Sequence, residues 1–251
     1  MTRQVRLEAL NTRDFQAGGF TTAILPIGAC ESHGDHMPFG TDALTAHALA
    51  LRVAERLTAT VVAPPLNFGM SDHYRHKPIC LSLSSDTVVR VIRDLLLSFH
   101  HWGIERVLIL NGHDGNIPCA EIAAREVKVA HPAMSLAVFD WWVIVPKFLP
   151  PETFEVWNGW GHAGEVESSV GLALFPELMH MQHARGMVPK TDPFVKEIWT
   201  FDELTAHGAT GGPARATPEK GAKVVGAVID YLAEYMARFE REGLRHDPQE
   251  P

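Results

Sequence analysis

The sequence predicts an α/β fold, a three-layer sandwich in which helices cover both faces of a mostly parallel central sheet. Two observations predict it. Short apolar, partly β-branched runs alternate with segments whose apolar residues recur at helical spacing, the pattern of strands joined by helical crossovers. The densest polar clusters also begin where those runs stop, which is where open parallel sheets bind their ligands.

The elements follow in order. TAILPIG at 22–28 reads as a buried strand that stops at a glycine. Residues 42–57 (DALTAHALALRVAERL) carry apolar side chains at helical spacing, with Thr41 as the N-cap. A short strand at 61–63 leads into an irregular segment from 64 to 85, then a long helix from about 86 to 102 with Ser85 as cap and Gly103 as stop. RVLIL at 106–110 is a strand that ends in NGHDGN, a helix covers about 119–130, and SLAVF at 135–139 is the next strand. A helix starts near Gly164 and runs to about Leu174; 177–216 reads as loop; Thr217 and Pro218 open a final amphipathic helix to about Glu242. No repeat or linker divides the chain, which is read as one domain over 1–251 with a frayed tail at 245–251.

Composition narrows the function classes. Of 251 residues, 46% are hydrophobic and 21% charged, ordinary globular usage that supports a sizeable core. The formal charge is −8 and the basic residues are scattered, which argues against a nucleic-acid partner. No apolar run approaches the roughly 18 residues of a membrane span, and the charged N-terminus MTRQVRLEALNTRDF lacks the apolar core of a secretory signal. Cys30, Cys80 and Cys119 show no metal-ligand spacing and suit reduced thiols, hence a cytoplasmic location. The fourteen histidines are the unusual count, and they concentrate between residues 33 and 113.

The chemistry is therefore sought in CESHGDHMPFGTD, residues 30–42. In an extended segment residues i and i+2 project to one side, so Glu31 and His33 reach one small volume. Asp42 stands just inside the following helix, and His113 enters from NGHDGN at the end of another strand, on the same rim. Imidazoles and carboxylates together, without a cysteine cluster, suit Zn, Mn or Fe rather than Ca or an iron–sulfur centre.

Three motifs, PIGACESHGDHMPFGTD (26–42), NGHDGN (111–116) and GHAGEVESS (161–169), resemble the creatininase family of metal-dependent amidohydrolases, in the family's order. GMSDHYRHKP (69–78) is similar to the segment in which the family carries a histidine near the substrate, here His73. The resemblance implies a dinuclear centre: two divalent ions per subunit, Zn first, with Mn or Fe also accepted. Glu31 and His113 would hold one ion, His33 the other, and Asp42 would bridge. Some members add a glutamate two positions after the histidine of NGH, but that position is Gly115; the resemblance then points to Glu167 of ESS, with Asp114 as substitute. Two divalent ions against three carboxylates leave +1, which a metal-bridging hydroxide neutralises. His162 of GHAGE would move the proton. A glutamate precedes this histidine in creatininases proper; Gly161 stands there, which counts against creatinine as substrate.

Each residue also has a plain structural reading. His113 could merely shape a turn, and His36 has a supporting or surface role at least as readily as a ligating one. His47 is read as packed, and His100 and His101 as cations at a helix C-terminus. His76 and Arg75 either touch substrate or form a solvated basic patch. Glu165 and Glu167 lie about 200° apart on a helix, so one faces the ions and the other faces solvent. Trp141, Trp142, Trp157 and Trp160 are core or interface aromatics, or two or three of them wall the pocket; Trp157, Trp160, His73 and Asp114 are carried forward as substrate-binding. GWGHAG at 159–164 matches G-x-G-x-x-G, but no clean strand precedes it and Ala184 stands where an acid belongs, so a dinucleotide enzyme is a distant alternative.

The expectation is thus a dinuclear metal-dependent amidohydrolase, acting with a metal-bridging hydroxide on a non-peptide C–N bond in an amide, cyclic amide or formamide. Its partners would be a small-molecule amide and copies of itself, since the resemblance implies a homo-oligomer, often a hexamer. The alternatives are a peptidase acting on a small modified peptide and a non-catalytic metal-binding scaffold.

Overall fold

The computed structural model describes residues 3–192 and 194–244; the tail expected at 245–251 lies outside them. In chain order the elements are α1 (Thr12–Ala17), β1 (Thr22–Ile27), α2 (Thr41–Ala54), β2 (Thr60–Val62), α3 (Ser85–His101), β3 (Arg106–Asn111), α4 (Ile117–Ala130), β4 (Ser135–Asp140), α5 (Val145–Phe148), α6 (Glu165–Leu174), α7 (Phe201–Leu204) and α8 (Pro218–Glu242). The strands form a parallel sheet in the order β2-β1-β3-β4.

The three layers follow from which side chains each strand sends to each face. Ile24, Val62, Leu108 and Leu110 pack under α2, α6 and α8. Ala23, Leu25, Ile27, Val61, Val107 and Ile109 pack under α3 and α4. Every residue of β1 is buried, as a central strand covered on both sides requires. The buried stripe of α3, Val88, Ile92, Leu96 and Phe99, recurs every three or four residues, and each such side chain contributes about 1.5–3 kcal/mol on burial.

Several boundaries differ from the sequence reading for local reasons. Thr41 is the first helical residue of α2 and Gly40 its N-cap, because the Thr41 hydroxyl donates to Pro38 O at 2.7 Å instead of capping. Ser84, not Ser85, caps α3 by accepting from Thr87 N. Thr217 caps α8 as expected, accepting from Lys220 N at 3.2 Å. The segment 177–216 is irregular apart from α7 and short single turns.

The strand order places the site. From β1 the chain moves outward to β2, then returns to the other side for β3 and β4, so the order reverses between β1 and β3. Their paired registers run level, Ile27 opposite Asn111 and Asn111 opposite Asp140. A crevice at the carboxyl ends of strands flanking such a reversal is where open α/β sheets bind ligands, and the loops after β1 and β3 carry Glu31, His33 and His113.

Candidate metal centre

Four of the expected ligands stand at this reversal and are cut off from solvent: Glu31 and His33 at 0% exposure, Asp42 at 2% and His113 at 4%. Asp42 lies in the first turn of α2, and that turn rests directly on the loop after β3. A Cβ on Gly112 would lie 2.2 Å from Asp42 O, so only glycine permits the approach.

Asp42 faces a histidine with each oxygen. Its Oδ1 is 2.9 Å from His33 Nε2, and its Oδ2 is 3.2 Å from His113 Nδ1, which is also 3.3 Å from Glu31 Oε1. His33, Asp42 and Glu167 form one group of ligand atoms within 4.8 Å of one another; Glu31, His33 and His162 form a second, and Glu31, His73 and His113 a third.

The other nitrogen of each imidazole is committed to a main-chain carbonyl. His33 Nδ1 reaches Glu31 O at 3.2 Å, His113 Nε2 reaches Met70 O at 2.9 Å, and His162 Nε2 reaches Ser32 O at 2.8 Å. A carbonyl only accepts, so the ring proton sits on that nitrogen and fixes the ring's orientation. The inward nitrogens then face carboxylates across a gap that either a proton or a cation can fill. Among the described residues, both oxygens of Glu31 and Oδ2 of Asp42, all buried, find no hydrogen-bond partner. Oxygen and imidazole donors converging with buried, unpartnered acceptors fit divalent Zn, Mn or Fe.

The chain's own charges show the strain of this convergence. Burial alone would lower His33, but Asp42, Glu167 and Glu31 override it and hold the ring protonated up to about 9. His113 is likewise pushed well above its usual range, burial being outweighed by Glu31 and Asp42. Burial would raise Asp42, and His33 and His113 drive it low instead. Burial and the Asp42 carboxylate push Glu167 up to about 7 against the pull of His33. His162 is driven well down, by burial and then by His33, so it stands as a neutral imidazole.

A cavity of about 490 Å³ opens above these groups, and His73, Asp114, Trp157 and Trp160 all line it. Trp142 and Trp199 complete the indole wall. Trp141 is a core residue, 2% exposed among the side chains under α8. Arg75 and His76 are solvated, Arg75 on Asp72 at 2.6 Å and His76 4.0 Å from Asp202. His36 is buried, 2.8 Å from Ser168 Oγ, and burial, with His33, lowers it to about 4. Gly161, at φ 116°, has Thr210 O only 2.5 Å from where a Cβ would stand, so this backbone has no room for a glutamate there.

One expectation is corrected. Glu165 does not face solvent: it is fully buried, accepts from the main-chain N–H of Glu155 and Val156, and pairs with Lys220 Nζ at 2.6 Å. Sequence reasoning also missed Tyr74, Phe201 and Trp199. Tyr74 and Phe201 stack at 3.8 Å, and both rings pack on His162, at 4.5 and 4.9 Å. Phe201 and Trp199 come from the segment read as loop, where no periodicity announces a contact.

Known proteins share this architecture over nearly the whole chain. Residues 8–236 match the sequence model of the creatininase family, described as creatinine amidohydrolase. The creatinine amidohydrolase of Pseudomonas putida is 28% identical, over 93% of this chain and 96% of its own. The mycofactocin precursor peptide peptidase of Mycolicibacterium smegmatis is 26% identical, over 88% and 87%. Among solved structures, a protein of Bacteroides fragilis assigned as a creatinine amidohydrolase superposes with a TM-score of 0.86 at 27% identity, covering 98% of this chain and all of its own. A manganese form of creatininase superposes at 0.79 with 28% identity, over 94% and 98%. With a family match over residues 8–236 and a fold shared over 98% of the chain, the chain belongs to the creatininase family of hydrolases.

Proposed function

We propose that this chain is a dinuclear metal-dependent amidohydrolase that cleaves a C–N bond other than a peptide bond, in an amide, cyclic amide or formamide. The observation that carries the reading is Asp42, whose two oxygens face two different histidines from a buried position between Glu31 and Glu167. Glu31 and His113 would hold one divalent ion and His33 and Glu167 the other, with Asp42 shared; zinc suits these donors first, and manganese or iron also fit. Bound there, such ions supply Lewis acidity, which polarises an amide carbonyl and acidifies a water.

The chain's own residues supply the rest. His162 is kept neutral, with its Nε2 proton held by Ser32 O, so Nδ1 presents a lone pair toward the centre. It takes a proton from the attacking water and returns it to the leaving nitrogen. Tyr74 and Phe201 hold its ring. Trp157 and Trp160 receive the flat or apolar part of the substrate, and Asp114 contacts its polar end. The exposed Phe194 and Ile198 offer apolar surface for the homo-oligomer, a hexamer, that the family resemblance implies.

A peptidase acting on a small modified peptide is the second reading. A cavity of about 490 Å³ has room for more than one small ring, and the peptidase relative matches over most of its length. Elemental analysis of protein purified without added metal or chelator tests the main reading first. Near two Zn, Mn or Fe per chain after dialysis supports it, and none bound or taken up overturns it. Screening lactams and formamides against short peptides then separates the two substrate classes.

A further inference from the structure

We propose that His73 is a metal ligand rather than a substrate contact, joining Glu31 and His113 to hold one of the two ions. This rests on the dinuclear reading above and goes beyond it, because it changes the donor set of one site. His73, Glu31 and His113 each offer a ligand atom, all within 4.8 Å of one another, and the Glu31 oxygens are buried with no hydrogen-bond partner among the described residues. Two imidazoles and a glutamate are a donor set found in zinc enzymes.

The local packing serves this placement. The His73 ring lies nearly parallel to that of His113, 7° between planes and 5.8 Å between centroids. It is packed against Tyr74 at 4.7 Å and Phe201 at 6.0 Å. Gly115 is the residue that admits it: a Cβ there would lie 3.0 Å from His73 Cε1, 2.5 Å from His113 Nε2 and 2.3 Å from Met70 O. Any larger residue at 115 would push the two rings apart. The 3-10 turn Asp72–Tyr74 thus brings a third element to the centre, beside the loops after β1 and β3.

The two sites then differ. Glu31, His113, His73 and the shared Asp42 give one ion four protein donors, whereas His33, Glu167 and Asp42 give the other three. The ion beside His73 is the tighter one, and it loosens when that imidazole is removed.

The test compares the full-length wild type with His73→Ala and His73→Phe, the second of which keeps the aromatic packing without a donor. Each is loaded with zinc and dialysed against a graded chelator, with metal content read by elemental analysis; each is also loaded with cobalt and its visible absorption recorded. The wild type should release its ions in two steps. Both variants should lose the later step, with at least about a tenfold drop in affinity, and show altered cobalt bands. Unchanged release and an unchanged cobalt spectrum in His73→Phe overturn the assignment and return His73 to the substrate. A wild type that binds a single ion, lost in both variants, overturns the dinuclear reading and upholds His73. A wild type that takes up none overturns both.

Discussion

Glu165 and Glu167 stand two residues apart at the start of α6, and the fold balances their charges in opposite ways. Glu165 is sealed in the interior with a lysine on one oxygen and two main-chain N–H groups on the other side, so its charge is answered within the chain. Glu167 accepts from Ala163 N but otherwise faces His33, Asp42 and Glu31, where carboxylates outnumber the imidazoles that could neutralise them. The comparison separates architecture from function by charge alone. A buried carboxylate with its own cation ties segments together; one without a cation points to something the chain must bind.

The largest effect is expected from breaking the balanced pair. Lys220→Met leaves Glu165 buried and unpaired, a loss of about 3–5 kcal/mol, read as a fall in the urea midpoint. Lys220→Met combined with Glu165→Gln should recover part of it. A midpoint that moves little in the single variant would show that Lys220 does not answer Glu165.

Glu167→Gln should act in the other direction on metal-free protein. The folded value of Glu167, about 7, lies above its ordinary 4.5, so its contribution is favourable below 4.5 and is lost as pH rises through 7. His33, raised to about 9, adds a contribution that is present below 6.5 and lost as pH rises through 9. Metal-free wild type should therefore weaken between pH 5 and 9. Glu167→Gln should flatten the lower part of that slope, by at most about 3 kcal/mol, while lowering the bound metal by one ion. Urea titrations across this range, with chelator present, check the sign. A Glu167→Gln profile parallel to the wild type would detach the slope from this carboxylate. Adding zinc should restore stability at the alkaline end, where its ligands are deprotonated most readily.

The two glutamates also mark how far the sequence could be read. Glu31, His33, Asp42 and His113 were legible because each lies within a few residues of a strand end or a helix start, where period and position fix direction. Helix phase separated Glu165 from Glu167, yet it suggested solvent for the first. Its partner Lys220 lies 55 residues further on, in a helix brought alongside α6 only by tertiary packing. Phe201 and Trp199 were hidden for the same reason: an irregular segment has no period, and nothing local says which wall it covers. The layers could be expected from alternation of strands and helices, whereas the order β2-β1-β3-β4, which puts the reversal between the loops that carry Glu31, His33 and His113, is a property of the assembled sheet.

The smallest effect sharpens the first. Thr217 caps α8 through Lys220 N, so the residue whose side chain answers Glu165 also has its main chain held at the helix start. Thr217→Ala removes the cap and should cost about 1 kcal/mol, with Pro218 still favouring the first turn. The Lys220 side chain keeps its partner, so a midpoint shift well below that of Lys220→Met assigns the larger loss to the buried charge. Equal shifts would mean that the cap and the ion pair open as one unit, and that Lys220→Met reports fraying of α8. Metal content should be unchanged in either case, because the chain charge that Lys220 answers is not one of those facing His33 and His113.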